Sequence, residues 1–209
     1  MQNRSHAVMA QRTEPKGSLD NFPTPPWATR ALIEHVIKTE LQDAECLEPA
    51  CGAGHMSRPL AEYFGTVYSS DIADYGFGEV QDFLDKKEDR KYDWVITNPP
   101  FKLAEKFIEK ALKISNKGIA VLVRTTFIES IGRYNRLFSK SPPSEFAQFV
   151  ERVPMVKGRL DRKASTATGY CWLVWRKPVM NTPNLVWIPP CRRTLESPSD
   201  YSHDQPFLI

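Results

Sequence analysis

The 209-residue sequence lacks a long apolar run, paired metal-binding cysteines and internal repeats. Because a membrane-spanning helix needs about 18 or more consecutive apolar residues, no membrane span is expected. Residues 1–20 are polar, which argues against a secretory signal peptide. The four cysteines form no CxxC pair and no cluster with histidine, so no metal site is predicted. Cysteines without a pairing pattern favour a reduced, cytoplasmic location.

Net charge is also small, at a formal value of only +3. This value alone hardly favours nucleic acid as a partner. Between residues 121 and 180, however, lysine and arginine clearly outnumber aspartate and glutamate. This part of the chain is therefore basic enough to bind phosphates, although an ordinary solvated surface can have the same composition.

Composition divides the chain into three parts. Hydrophobic residues make up 41% and charged residues 25%, as in an average globular domain. We expect a flexible N-terminal arm at residues 1–20, one globular domain at 21–178, and a C-terminal tail at 179–209 that is rich in proline, serine and threonine. Within the tail, the short apolar stretch Asn184–Ile188 can dock on the body.

Apolar runs alternate with helical patterns in the central domain. Strands are predicted at residues 45–49, 66–71, 92–97, 118–124, 146–153 and 170–176, and helices at 27–37, 55–64, 102–114 and 127–138. This alternation predicts an α/β fold with a mostly parallel sheet, and the last two strands predict an antiparallel C-terminal hairpin at one edge. In such sheets ligands bind beyond the carboxyl ends of the strands, where the strand order reverses.

A glycine-rich turn follows the first predicted strand. The segment reads Glu48-Pro49-Ala50-Cys51-Gly52-Ala53-Gly54. Gly52 and Gly54 allow a sharp turn and a close backbone approach to a ligand. The following helix start offers free N–H groups to an anion, and Glu48 can bind an ammonium group. An ordinary strand–helix turn containing two glycines is the alternative interpretation.

Asp71 ends the second predicted strand. In nucleoside-binding folds, an acid at this place accepts hydrogen bonds from ribose hydroxyls. An isolated aspartate is also a common turn or cap residue, so this alternative stays open.

Asn98-Pro99-Pro100-Phe101 follows the third predicted strand. Two consecutive prolines stiffen the loop and remove two backbone donors. The side-chain oxygen of Asn98 and the carbonyl of Pro99 can each accept one N–H of a planar amine, and Phe101 can stack on the base that carries it. The segment is therefore a candidate catalytic site for chemistry at an aromatic amino group.

Together these features resemble the N6-adenine and N4-cytosine DNA methyltransferases. The resemblance covers residues 21–177 and implies a Rossmann-like class I methyltransferase sheet with S-adenosylmethionine as the cofactor. It implies that the glycine-rich turn and Asp71 hold this cofactor. The tetrapeptide NPPF points to adenine within that family, and therefore to a site-specific adenine DNA methyltransferase.

Two further segments match the same family. Residues 22–25 read FPTP and resemble the F-x-T-P segment that precedes the cofactor loop, which implies that Phe22, Thr24 and Pro25 line the methionine end of the cofactor. By the same resemblance, Asp82 binds the amine of the cofactor's adenine and Phe83 packs near that ring.

The sequence departs from many relatives because it has no room for a large target-recognition domain. The loop at residues 154–169 is the best substitute, and its cations Lys157, Arg159, Arg162 and Lys163 can hold the phosphates of DNA, double-stranded by preference. The small size resembles stand-alone or phage-encoded modification enzymes.

Other functions share some of these features. An RNA adenine methyltransferase has the same catalytic loop, and a methyltransferase of protein glutamine also uses NPP with an aromatic residue, typically Tyr. A catalytically silent binding module on the same fold is a third alternative. An oxidoreductase is poorly supported, because Ser57 breaks the G-x-G-x-x-G spacing of dinucleotide-binding folds.

Overall fold

A computed structural model describes residues 20–87, 89–178 and 182–204. Within these residues, eight strands form one mixed sheet in the order β3-β2-β1-β4-β5-β7-β6-β8. All neighbouring strands are parallel except that β7 runs antiparallel to both β5 and β6. The strands are β1 (Glu45–Glu48), β2 (Thr66–Asp71), β3 (Glu79–Val80), β4 (Tyr92–Thr97), β5 (Ser115–Arg124), β6 (Glu145–Phe149), β7 (Tyr170–Arg176) and β8 (Asn184–Ile188).

Short helices flank the sheet. Two of the α-helices continue as π-helical turns. The turn Ile33–Ile37 follows the helix that ends at Leu32, and the turn Tyr134–Phe138 follows the helix that ends at Arg133. Three 3₁₀ segments also occur, at Phe101–Leu103, Thr125–Ile128 and Pro198–Asp204. The α-helices are α1 (Pro26–Leu32), α2 (Ser57–Leu60), α3 (Ala104–Ile114), α4 (Ile131–Arg133) and α5 (Arg192–Leu195).

Successive side chains of a strand point to opposite faces of the sheet, and buried apolar side chains form a hydrophobic core on each face. On β4, Trp94 and Ile96 pack in one cluster with α1, whereas Val95 packs in the other with α3. Helix α3 buries Phe107, Ile108 and other residues at three- and four-residue spacing, which forms one apolar stripe. The two cores hold the sheet between layers of helices, so the carboxyl ends of the strands keep fixed positions.

Two predicted helices are shorter than their sequence patterns suggest. The pattern at residues 127–138 does not form one helix, because Ser130 is extended and its hydroxyl accepts a hydrogen bond from the backbone N–H of Arg133. A serine in this position starts a new helix rather than continuing an old one. The pattern at residues 55–64 is helical only over Ser57–Leu60 and continues as turns.

The C-terminal segment differs from the expected tail. Strand β8 pairs with β6 along its full length, so the late antiparallel pair does not lie at the edge of the sheet. Arg30 on α1 also donates hydrogen bonds to both carboxylate oxygens of Asp200, at 2.8 and 2.9 Å. The stretch Asn184–Ile188 was expected to dock on the body, and it does so as a strand of which four of the five residues are at least partly exposed. The predicted arm lies outside the described residues apart from Asp20.

Among the described residues, no helix is long and apolar enough to span a membrane.

Replacing Asp200 with alanine should lower the free energy of unfolding by about 1–3 kcal/mol. This loss is smaller than that for a buried charge left without any partner, because Arg30 still pairs with Glu62. The Asp200 side chain is only 5% exposed, so water cannot replace the lost contact well. Urea unfolding measures the change. The exposed neighbour Ser199 is the control, since Ser199→Ala should shift the free energy of unfolding by less than about 0.5 kcal/mol. Equal effects of the two substitutions would contradict an anchoring role for Asp200.

Candidate functional site

The carboxyl ends of four parallel strands bring the predicted site residues to one edge of the sheet. Glu48 ends β1, Asp71 ends β2, Asn98 follows β4 and Arg124 ends β5. The chain order reverses between β1 and β4, where ligands bind in open α/β sheets. Glu48 and Asn98 therefore lie on either side of this switch point.

A cleft opens at this edge. Its space, including the open mouth, measures about 870 Å³. The cleft brings together most of the predicted cofactor residues and two of the predicted catalytic ones. These are Phe22, Thr24, Glu48, Pro49, Ala50, Gly52, Asp71, Asp82, Phe83, Asn98 and Pro100.

The glycine-rich turn is held by Asp71. Its carboxylate accepts hydrogen bonds from the backbone N–H groups of Gly52 at 2.9 Å and Ala73 at 3.1 Å. Gly52 has a φ of +49°, a left-handed backbone conformation that glycine adopts more readily than other residues. Gly54 and Pro25 do not line the cleft: Gly54 packs so closely on the ring of Phe77 that a Cβ would approach the ring within 2.7 Å, and Pro25 precedes α1.

Glu48 is a buried carboxyl group, with only 2% of the residue exposed. The hydroxyl of Ser57 donates a hydrogen bond to it and in turn accepts one of 2.7 Å from Ser69. Burial raises the pKa of Glu48 to about 8, and the nearby Asp71 adds to this rise. The carboxyl is thus largely protonated near neutral pH, and a cation that enters the cleft favours loss of that proton.

Asp82 and Phe83 follow β3. An oxygen of Asp82 accepts a hydrogen bond of 2.8 Å from the backbone N–H of Leu84, which fixes the turn. The ring of Phe83 lies 4.9 Å from that of Phe107 on α3. The connection from Asp71 is too short for a helix and contains β3 instead. The cleft therefore has an acid and an aromatic wall at this end.

The side chain of Asn98 is oriented by the segment that precedes α1. Its amide nitrogen donates hydrogen bonds to the carbonyl of Phe22 at 3.0 Å and to the hydroxyl of Thr24 at 3.1 Å, and it contacts the sulfur of Met155. Because a backbone carbonyl only accepts hydrogen bonds, the amide atom of Asn98 that contacts the carbonyl of Phe22 must be the nitrogen. Among the described residues, the side-chain hydrogen bonds of Asn98 all use this nitrogen, which leaves the amide oxygen as an acceptor for a ligand.

A second, smaller cleft adjoins the first. Asp20, Phe22 and Asn98 line both clefts and form the wall between them. The second cleft also contains Pro99 and Phe101, so it holds the rest of the predicted catalytic segment. Two clefts that share Asn98 can hold two ligands whose reacting atoms meet beside its side chain.

Arginines surround the ring of Phe101. The guanidinium of Arg124 lies 4.9 Å from the ring centroid and that of Arg133 lies 5.8 Å away. The backbone N–H of Phe101 donates a hydrogen bond of 2.8 Å to Asp20. The surroundings of this aromatic ring therefore contain both cationic and acidic side chains.

The loop at residues 154–169 reaches the site through its first half. Met155 lines the second cleft, and the backbone N–H of Gly158 donates a hydrogen bond of 2.9 Å to the carbonyl of Asn21 at the first cleft. Arg159 pairs with Asp161 and Arg162 pairs with Glu196, each at 3.2 Å. The four predicted phosphate-binding cations, Lys157, Arg159, Arg162 and Lys163, are all exposed.

Several site residues were missed at the level of sequence. Asp20, Met155 and Arg124 lie far from the NPPF segment in the chain and have no motif of their own. The position of Asp20 two residues before FPTP is the one available signal. Among the residues that the structure covers, no group of three or more His, Cys, Asp or Glu side chains could hold a metal ion.

No protein-family model and no curated protein sequence matches this chain. Solved structures do match it. A protein described as a modification subunit of a type I restriction enzyme from Vibrio vulnificus YJ016 has a TM-score of 0.60 at 14% identity, over 88% of this chain and 51% of that chain. A protein described as an RNA methyltransferase from Pyrococcus horikoshii has a TM-score of 0.58 at 15% identity, over 81% of this chain and 90% of the other.

A third similar structure is a dimethyladenosine transferase from Plasmodium falciparum, with a TM-score of 0.50 at 17% identity, over 74% of this chain and 62% of that one. The present chain spans about half the length of the Vibrio subunit. Similarity at these identities establishes the fold. The sequence-based fold class is confirmed: the chain has the Rossmann-like fold of class I methyltransferases, with a mostly parallel sheet and antiparallel strands near its C-terminus.

Proposed function

We propose that this protein transfers a methyl group from S-adenosylmethionine to N6 of adenine in DNA. The observation that carries the proposal is the position of Asn98 between two adjoining clefts, with its amide nitrogen engaged and its oxygen left to accept. The first cleft would hold the cofactor and the second the adenine. The amine and the methyl group would then meet at the wall between them.

The chemistry of the first cleft fits this cofactor. Glu48 supplies a carboxyl group for the ammonium of the methionine end, Asp71 for the ribose hydroxyls, and Asp82 for the adenine amine. Phe22 and Phe83 supply apolar walls. The sulfonium supplies an activated methyl group when the cofactor is bound. The adjacency of a donor cleft and an acceptor pocket supports a group transfer rather than binding alone.

The chain's own residues would align the adenine amine. The amide oxygen of Asn98 and the carbonyl of Pro99 each accept one N–H, which directs the nitrogen lone pair out of the ring plane. These two acceptors would hold the amine for attack on the activated methyl group that the cofactor would supply, and the proton released from the methylated nitrogen would pass to water. Such alignment contributes several kcal/mol, up to about 7–11 kcal/mol in ideal intramolecular cases.

An adenine in duplex DNA must leave the base stack to reach the second cleft. The ring of Phe101 gives the base an aromatic surface, and Arg124 at the same ring adds positive charge close to the DNA backbone. The exposed cations of the 154–169 loop would hold phosphates, since the side chains of Arg159 and Arg162 remain 66% and 59% exposed although they pair with Asp161 and Glu196. These features favour double-stranded DNA as the substrate.

The proposal is tested by incubating the protein with methyl-labelled S-adenosylmethionine and unmethylated DNA, RNA and protein in parallel. Mass spectrometry of the nucleosides should find N6-methyldeoxyadenosine in the DNA. Label in RNA alone, or on protein glutamine alone, would support the proposed cofactor but contradict DNA as the substrate. The absence of label from all three would overturn the proposal.

Asn98→Ala should lower the rate of methyl transfer by roughly 10²–10³-fold, the usual cost of losing one preorganised polar contact to a transition state. Cofactor affinity should fall by much less than the rate, because Glu48, Asp71 and Asp82 stay in place although the amide no longer holds Phe22 and Thr24. Single-turnover kinetics and calorimetry measure the two quantities. Asn116→Ala, an exposed asparagine at the opposite end of β5, is the matched control and should be unaffected. A wild-type rate for Asn98→Ala would exclude its catalytic role.

Binding of S-adenosylmethionine should strengthen as the pH rises from about 6 to about 8. The reason is that the raised pKa of Glu48, about 8, leaves a proton on the free carboxyl that the ammonium must displace. Calorimetry in buffers of different ionisation enthalpy should detect the released proton. The variant Glu48→Gln should bind S-adenosylmethionine weakly and should lose the part of the pH dependence that comes from the Glu48 carboxyl. Titration of the ligand's own amine affects the wild-type protein and the variant equally.

Folding stability provides a second readout for Glu48. Since the folded pKa of about 8 lies above the unfolded value, the folded state holds an extra proton. Stability should therefore fall as the pH rises from about 4.3, the unfolded value, through the folded pKa. Glu48→Gln should flatten this decline in urea unfolding. An unchanged decline would show that another group is responsible.

A further inference from the structure

An exposed apolar patch lies on the segment that follows β5. Ile131 is 84% exposed, Tyr134 is 60% exposed and Ile128 is 43% exposed. Large apolar side chains at such exposure are costly in water, and a group of them commonly marks a contact surface. Neither the proposed cofactor contacts nor the proposed transfer uses these residues.

Ile131 and Tyr134 share one face of a helical turn. They are three residues apart, and the backbone N–H of Tyr134 donates a hydrogen bond of 2.9 Å to the carbonyl of Ser130. The hydroxyl of Ser130 caps this turn. Arg136 on the same segment makes two hydrogen bonds with Glu105 of α3, at 2.6 and 2.9 Å. The apolar pair is therefore displayed on an anchored element.

The patch is attached to the second cleft. Arg133, between the two apolar residues, places its guanidinium 4.2 Å from the ring centroid of Phe127 and 5.8 Å from that of Phe101. Phe101 lines the second cleft, as does Arg124 at the end of β5. Lys140 adds positive charge to the same segment, whereas the charge of Arg136 is paired with Glu105. Positive charge around an apolar tip complements DNA.

We propose that Ile131 and Tyr134 form a wedge that enters the DNA base stack next to the adenine that leaves it. The inference rests on the proposed function. Proteins that distort DNA often insert apolar side chains between base steps. A wedge fills the space vacated by the extruded adenine and so offsets part of the cost of unstacking and unpairing. The cationic neighbours would hold the flanking phosphates.

The test compares native double-stranded DNA with the same DNA after heat denaturation, both unmethylated. The double variant Ile131→Ala/Tyr134→Ala should methylate native DNA at least about tenfold more slowly than the wild-type protein, because the cost of unpairing is no longer offset. Denatured DNA has no pairing to break, so its rate should change less than about twofold. The conservative variant Ile131→Leu/Tyr134→Phe should retain activity on native DNA.

Leu185→Ala/Trp187→Ala is the matched control. These residues are 57% and 61% exposed on β8 at the end of the sheet, and their removal should leave both rates unchanged. Thermal unfolding and S-adenosylmethionine binding of each variant confirm folding. Equal losses on native and denatured DNA, or no loss on native DNA, would overturn the wedge while leaving methyl transfer intact. A wild-type protein that methylates neither DNA would overturn the proposed function itself, and the wedge with it.

Discussion

The hydrogen bonds that Asn98 donates to Phe22 and Thr24 join two parts of the chain on which the whole site depends. They connect the end of β4 to the segment before α1, and they form the wall between the two clefts. Because both acceptors lie on one short segment, a shift of that segment moves the amide as well. The first and second clefts are therefore mechanically linked through one side chain.

Two carboxyl groups of the first cleft differ in their hydrogen-bond partners. Asp71 accepts hydrogen bonds from the backbone N–H groups of Gly52 and Ala73, so it fixes the glycine-rich turn. Glu48 is buried and accepts a hydrogen bond from the hydroxyl of Ser57, and burial raises its pKa so that it keeps a proton. A cation that enters the cleft favours loss of that proton.

Local patterns were sufficient to predict much of the framework. Strands β2, β4 and β7 begin and end where apolar alternation placed them, and the turn after β1 was recognised from its glycines. Contacts between distant residues could not be predicted in this way. Asp20 meets Phe101 across 81 positions, and Asn98 meets Met155 across 57. The apolar stretch that forms β8 was expected to dock on the body, but its pairing with β6 was not predicted, because pairing between distant strands leaves no local pattern.

The position of β8 has a consequence for the solubility of the folded chain. Without this strand, β6 would present a row of unpaired backbone groups, which is a template for pairing with another copy. Strand β8 covers that row and becomes the outer strand itself. It is only five residues long, and Pro183 precedes it while Pro189 and Pro190 follow it. Since proline cannot donate a backbone hydrogen bond, these flanking residues limit the new outer edge to the length of β8.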